Sequence, residues 1–216
     1  MKKSMILGFA LSIGLAVAVC APAMAAPIFS DDFSAAALNP AMATFGGAWA
    51  VTDGVLAQSD VAKGDPKKAI VVIQDLPADL QVTAKVRVDA WVKGDYSRAG
   101  VSLRSNVKDG QGYNLLFHDD QLRVQFLDDA KAWGKTNFPF TWETGVWYWF
   151  KLKNEGNILS GKVWKVGTDE PTDWPFTEKG WKLTRVGYPA MNGGSSDGKV
   201  AATASFDDLS ISAPEL

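Results

Sequence analysis

Between Leu80 and Trp164 the chain is a series of short runs in which apolar and polar residues alternate, each closed by a cluster of turn formers. Leu80-Gln81-Val82-Thr83-Ala84-Lys85-Val86-Arg87-Val88 alternates without a break, the period of a half-buried strand rather than of a helix. The same period runs through 99–104, 113–118, 122–126, 148–153 and 159–164. Lys108-Asp109-Gly110, His118-Asp119-Asp120 and Asn154-Glu155-Gly156-Asn157 are too short to be crossovers, so the strands they join are antiparallel neighbours. No segment sustains a helical period; 33–42 is Ala-rich, but Asn39-Pro40 limits it to a single turn. The stretch 170–194, rich in Pro, Gly and Trp, reads as a long loop packed over the sheet. Roughly ten or more strands exceed what one open sheet tolerates. The expected fold is all-β, a two-sheet antiparallel β-sandwich of the jelly-roll kind.

The first 25 residues stand apart. Lys2 and Lys3 precede an apolar run from Met5 to Val19, and Ala23-Met24-Ala25 offers small residues for cleavage. This is the build of a secretory signal peptide, and the run is short for a membrane span, which needs about 20 apolar residues. The reading is a signal peptide over 1–25, removed after Ala25, and one sandwich domain over 26–216, exported to a bacterial periplasm or exterior. Val17-Ala18-Val19 is a poor lead-in for lipidation at Cys20. Cleavage removes the only cysteine, and with it any disulfide, thiolate metal site or cysteine nucleophile. It also removes two of the 22 basic residues and none of the 24 acidic ones, which leaves a net charge of −4. Without a basic run to follow a phosphate backbone, nucleic acid is excluded as a partner, and no membrane contact is expected after cleavage. The mature chain is taken as a monomer.

Several segments together resemble a known family. They are Phe29-Ser30-Asp31-Asp32-Phe33, Trp49-Ala50-Val51-Thr52-Asp53-Gly54-Val55-Leu56, Arg98-Ala99-Gly100-Val101-Ser102-Leu103-Arg104, Gly112-Tyr113-Asn114-Leu115-Leu116-Phe117, Trp147-Tyr148-Trp149-Phe150-Lys151-Leu152 and Phe206-Asp207-Asp208-Leu209-Ser210-Ile211. In this order they resemble the concanavalin A-like lectin/glucanase superfamily, and within it the laminin-G-like jelly-roll domains of secreted bacterial proteins. The resemblance covers the mature chain. It implies a fold that hosts lectins, carbohydrate-binding modules, glycoside hydrolases and lyases alike.

Catalytic signatures of that superfamily are missing. Its laminarinase-type members carry E-x-D-x-x-E on one strand, whereas the five glutamates here (Glu143, Glu155, Glu170, Glu178, Glu215) are scattered over turns and the tail. The alginate-lyase branch uses a Gln-x-His strand, and the single histidine, His118, is followed by Asp119-Asp120 instead. No G-x-S-x-G is present. The expected function is therefore non-catalytic binding of a polysaccharide or other glycan. An enzyme of the same fold, drawing on Asp89, Asp95 and Asp119, and a structural or adhesive surface protein are the alternatives.

Alternation places the candidate contacts. If Ala99, Val101 and Leu103 face inward, Arg98, Ser102 and Arg104 face outward; Asn114 and His118 follow from Tyr113, Leu115 and Phe117, and Arg123 and Gln125 from Val124 and Phe126. Planar polar side chains of this kind bond hydroxyls or clamp a uronate carboxylate, and aromatic rings cover pyranose faces. Trp91, Tyr96, Trp133 and Trp149 are placed at the edges of the same sheet. The alternative is a solvated polar face on an antiparallel sheet. For His118 the alternative is a cap on the Asp119-Asp120 turn. Finally, Asp31-Asp32 begins the domain and Asp207-Asp208 ends it. The resemblance implies that the terminal strands are neighbours and hold a structural Ca²⁺, with Asp32, Asp207 and Asp208 as ligands, since hard oxygen donors suit that ion.

Overall fold

The computed structural model describes residues 26–64, 66–91, 97–118, 121–130, 135–183 and 185–215. The leader lies outside them, as do Tyr96, Trp133, Asp95 and Asp119. No described residue is helical. The strands are β1 (Phe29–Asp31), β2 (Met42–Phe45), β3 (Trp49–Thr52), β4 (Val55–Gln58), β5 (Ala62–Gly64), β6 (Lys68–Val71), β7 (Gln81–Ala90) and β8 (Ser97–Ser105). They continue as β9 (Tyr113–His118), β10 (Arg123–Asp128), β11 (Lys135–Pro139), β12 (Trp147–Glu155), β13 (Ile158–Lys165), β14 (Phe176–Lys179), β15 (Tyr188–Val200) and β16 (Thr203–Ser212).

They form two antiparallel sheets packed as a sandwich. Sheet A runs β14-β13-β12-β7-β16-β4-β3 with β1 on β16, and sheet B runs β11-β10-β9-β8-β15-β6-β2 with β5 on β15. The inward residues are those the alternation selects: Val82, Ala84, Val86 and Val88 from β7 and Phe150 and Leu152 from β12 meet Val101, Leu115, Phe117 and Phe126 from sheet B. Phe117 sits at the centre of an aromatic cluster, with its ring centroid 4.7 Å from Phe150 and 4.5 Å from Trp142. Ring pairs of this geometry add about 0.5–1.5 kcal/mol each beyond their buried area.

The stretch 170–194 differs from expectation. It contains β14 and the start of β15, which is an interior strand of sheet B between β8 and β6. Tyr-Pro-Ala-Met-Asn-Gly-Gly has weak strand propensity because of its Pro and Gly, and it shows no alternation because residues 189–194 are buried on both faces. Pro189, which has no N–H to give the ladder, sits where the pairing of β15 with β8 shifts register, between Tyr188 and Ala190. The part that does behave as a loop closes one end of the sandwich. There Trp181 packs edge-on against Tyr113 and Phe126, and Tyr113 Oη donates to Lys182 O at 2.9 Å.

Candidate ligand-binding faces

Two outer faces carry the polar chemistry. On sheet B the alternation holds for Arg98, Ser102, Asn114, His118, Gln125 and Arg123, which lie on β8, β9 and β10. Arg98, Asn114, His118 and Gln125 are not open to solvent, however; in the full chain each is at most 6 % exposed, and only Arg123 is exposed. Arg98 Nε donates to Gln125 Oε1 at 3.2 Å, and Gln125 Nε2 donates to Asn137 Oδ1 at 2.7 Å.

The centre of this face is a residue the alternation did not select. Lys68, on β6, is wholly buried and donates to Asp129 Oδ2 at 2.8 Å, Asn114 Oδ1 at 2.9 Å and Ser105 Oγ at 3.3 Å. Ser102 Oγ also donates to Asn114 Oδ1, and Asn114 Nδ2 donates to Leu127 O at 2.9 Å. Burial pushes the Lys68 ammonium below the usual lysine range, against the pull of Asp129. Asn192, on β15, falls in register with both Lys68 and Gly100 and is fully buried. Its Oδ1 accepts from Gly194 N at 3.4 Å, while its Nδ2 finds no hydrogen-bond partner. The only sequence signal for Lys68 is a lysine beside Ala-Ile-Val-Val, which usually reads as a solvated strand end.

Arg104 has a different role from the one expected. It takes a positive φ of 53° at the end of β8, which breaks the alternation, and its guanidinium donates to Leu183 O, Arg185 O and Ala78 O. It clasps the end loops to the sandwich. Trp91 also belongs to the packing: it meets Trp142 edge-on at 4.8 Å and lies against the core. Trp149 is on β12 in sheet A, the opposite layer from the one expected.

Sheet A presents rows of cations and indoles. Lys85 lies 5.3 Å from the Trp149 ring centre, Arg87 4.7 Å from Trp147, and Lys153 and Lys162 each 4.6 Å from Trp174. Trp149 and Trp164 are cross-strand partners whose planes are 21° apart with centroids 6.1 Å apart. These contacts account for much of the unusual tryptophan content; cation–π pairs contribute about 0.5–1 kcal/mol each when exposed. Asp89 is held on this face by Arg87 Nε at 2.5 Å and Ser205 Oγ at 2.6 Å.

The terminal strands are neighbours, with Phe29, Ser30 and Asp31 opposite Ile211, Ser210 and Leu209. Asp31, Asp32, Asp208 and Asn39 line one cleft of about 480 Å³. Asp31 Oδ1 accepts from Phe33 N and Asp32 Oδ1 from Ser34 N. Asp207 and Asp208 both contact Lys85, and these contacts, led by Asp208, raise its ammonium above the usual lysine range. Among the described residues no three His, Cys, Asp or Glu side chains are grouped as a metal-ligand set.

No protein-family model matches the chain, and no curated protein does. Among solved structures it is similar to the carbohydrate-binding module CBM66 from Bacillus subtilis, with a TM-score of 0.56 and 15% identity, over 80% of this chain and 96% of that one. It is also similar to Bacteroides ovatus xyloglucan PUL GH43B, with a TM-score of 0.62 and 16% identity, over 88% of this chain and 40% of that one. For the GH43 protein BlXynB from Bacillus licheniformis the values are 0.59 and 13%, over 86% of this chain and 39% of that one. The chain thus spans about two-fifths of the length of the two GH43 proteins. At these identities the likeness is one of fold.

Proposed function

We propose that this protein is an exported, non-catalytic saccharide-binding sandwich of the concanavalin A-like, laminin-G-like kind, whose site is the outer face of sheet B. The observation that carries the reading is the polar layer of that face: Arg123 is exposed at its surface, Lys68, Asn114, Gln125 and Asn192 form a buried polar support behind it, and the Asn192 amide has an N–H group without a partner. Burying an amide without a hydrogen bond costs about 1–3 kcal/mol on mutational scales. A face meant only for packing would be apolar, whereas adjacent amides and cations match the paired donors and acceptors of sugar hydroxyls. The CBM66 and GH43 likenesses support a saccharide as the ligand class. In the same reading Ca²⁺ would take Asp32 and Asp208, with Asp31 and Asn39 in the same cleft, and would compete with Lys85 for Asp207 and Asp208.

Titration calorimetry of the mature protein against soluble xyloglucan, xylan, β-glucan and polygalacturonate tests this. At least one should bind, and Asn192→Ala combined with Gln125→Ala should weaken it tenfold or more while the fold is kept. Binding without release of reducing ends or unsaturated products is expected. No binding to any of the polymers overturns the reading; product release replaces it with the enzymatic one.

A further inference from the structure

The outer face of sheet A holds a groove of about 560 Å³ that the polar layer of sheet B does not involve. Its volume is within the range of small-molecule sites, roughly 300–1,000 Å³. Trp149, Trp164, Gln81, Lys151, Glu170 and Glu215 are among its lining residues. The half-buried Trp149 and its neighbour Trp164 supply an aromatic wall. Gln81 is 4 % exposed, and it donates through Nε2 to Glu215 Oε1 at 3.3 Å while its Oε1 is buried with no partner.

The charges indicate what would enter. Lys151 Nζ is matched by Glu170 Oε1 at 2.8 Å and Glu215 Oε1 at 3.0 Å, and Lys162 Nζ by Glu170 Oε1 at 3.0 Å. Lys85 is matched by Asp207 and Asp208. Each of these lysines already has its carboxylate, and the α-amino group that cleavage after Ala25 would leave at Ala26, also on the groove's lining, would add donors but no acceptor. What the groove itself offers is acceptor capacity, at the Gln81 carbonyl and the remaining Glu215 lone pairs, next to an indole. An uncharged, hydroxyl-rich ring satisfies both: its O–H groups donate to those oxygens, and its C–H face lies against the ring.

We infer that this groove is a second saccharide subsite, for a neutral sugar, on the side of the sandwich opposite the sheet B face. This rests on the saccharide-binding reading and extends it, because two sites on opposite layers would let one domain bridge two glycan chains. Bridging multiplies apparent affinity for a polymer without any new contact.

The test is calorimetry of the mature protein with short neutral xyloglucan and β-glucan oligosaccharides, too short to span both faces. Two sites per protein are expected. Trp149→Ala, or Ser212→Trp to obstruct the groove, should leave one site, and Asn192→Ala with Gln125→Ala should leave the other. Turbidity on mixing wild-type protein with the long polymer should be lost in either set of variants. A single site that is abolished by the sheet B variants and untouched by both groove variants overturns this inference and leaves the proposed function standing. A single site lost only in the groove variants supports the groove and overturns the sheet B assignment. No binding to either oligosaccharide overturns the inference.

Discussion

Lys68 is the residue whose energetics are most exposed to test. Its ion pair with Asp129 is closed off from water, with side-chain exposures of 0 % and 6 %. Removing one partner of such a pair typically costs about 3–5 kcal/mol, because the other charge stays buried. Lys68→Met should therefore destabilise the fold by about that amount in urea unfolding at neutral pH. Lys68→Met with Asp129→Leu should recover part of the loss. Burial lowers the folded-state pKa of Lys68, so between that value and the ordinary lysine value the unfolded chain binds more protons than the folded one. Across that window the Lys68 contribution to stability rises with pH, and the difference between wild type and Lys68→Met should widen from neutral towards pH 10. A difference that narrows would show that the ammonium is not desolvated. Little of this was legible in the sequence. Asn114, Gln125 and Arg98 could be assigned to one face because the alternation of their own strands is local, but Lys68 acquires its role from Asp129, 61 residues away.

At the scale of the strand, composition rather than coverage separates the legible element from the missed one: β9 and residues 189–194 of β15 are both buried on both faces, but only the latter carry Pro and paired Gly. β9 was read residue for residue, whereas the Gly- and Pro-containing part of β15 looked like a loop. Where layers approach closely, glycine leaves no space to spare. A Cβ at Gly100 would stand 2.2 Å from Leu115 O and 3.0 Å from the Phe150 ring, whereas one at Gly161 would meet mainly the movable tip of Leu115 at 2.8 Å. A carbonyl in a sheet ladder cannot yield as a methyl can. Gly100→Ala should then cost about 1–3 kcal/mol or more, and Gly161→Ala clearly less, in urea unfolding. The reverse order would mean that the β8–β9 ladder is looser than its geometry implies. The Arg104 clasp belongs to this scale too: its positive φ turns the guanidinium from the sheet face to the carbonyls of the end loops.

For the whole molecule, the ends of the domain meet in β1 and β16, and the cation between their carboxylates is the point at issue. Lys85 on β7 already bridges to Asp207 and Asp208. If calcium also enters the cleft, it should raise the melting temperature of Lys85→Met more than that of wild type when millimolar Ca²⁺ is added after chelation, because the lysine no longer competes. No response in either protein would exclude the ion. The sequence by itself determined that the chain is a sandwich of antiparallel strands and which side of most strands turns inward, since period-two patterning is written in each strand alone. Only the tertiary structure decided which layer each strand joins. β7 and β8 follow one another yet enter different sheets, so Lys85 and Trp149 share one face while Arg98 and Gln125 share the other. Alternation distinguishes inside from outside, but the layer is set by pairing between strands far apart in the chain, and no local pattern records that.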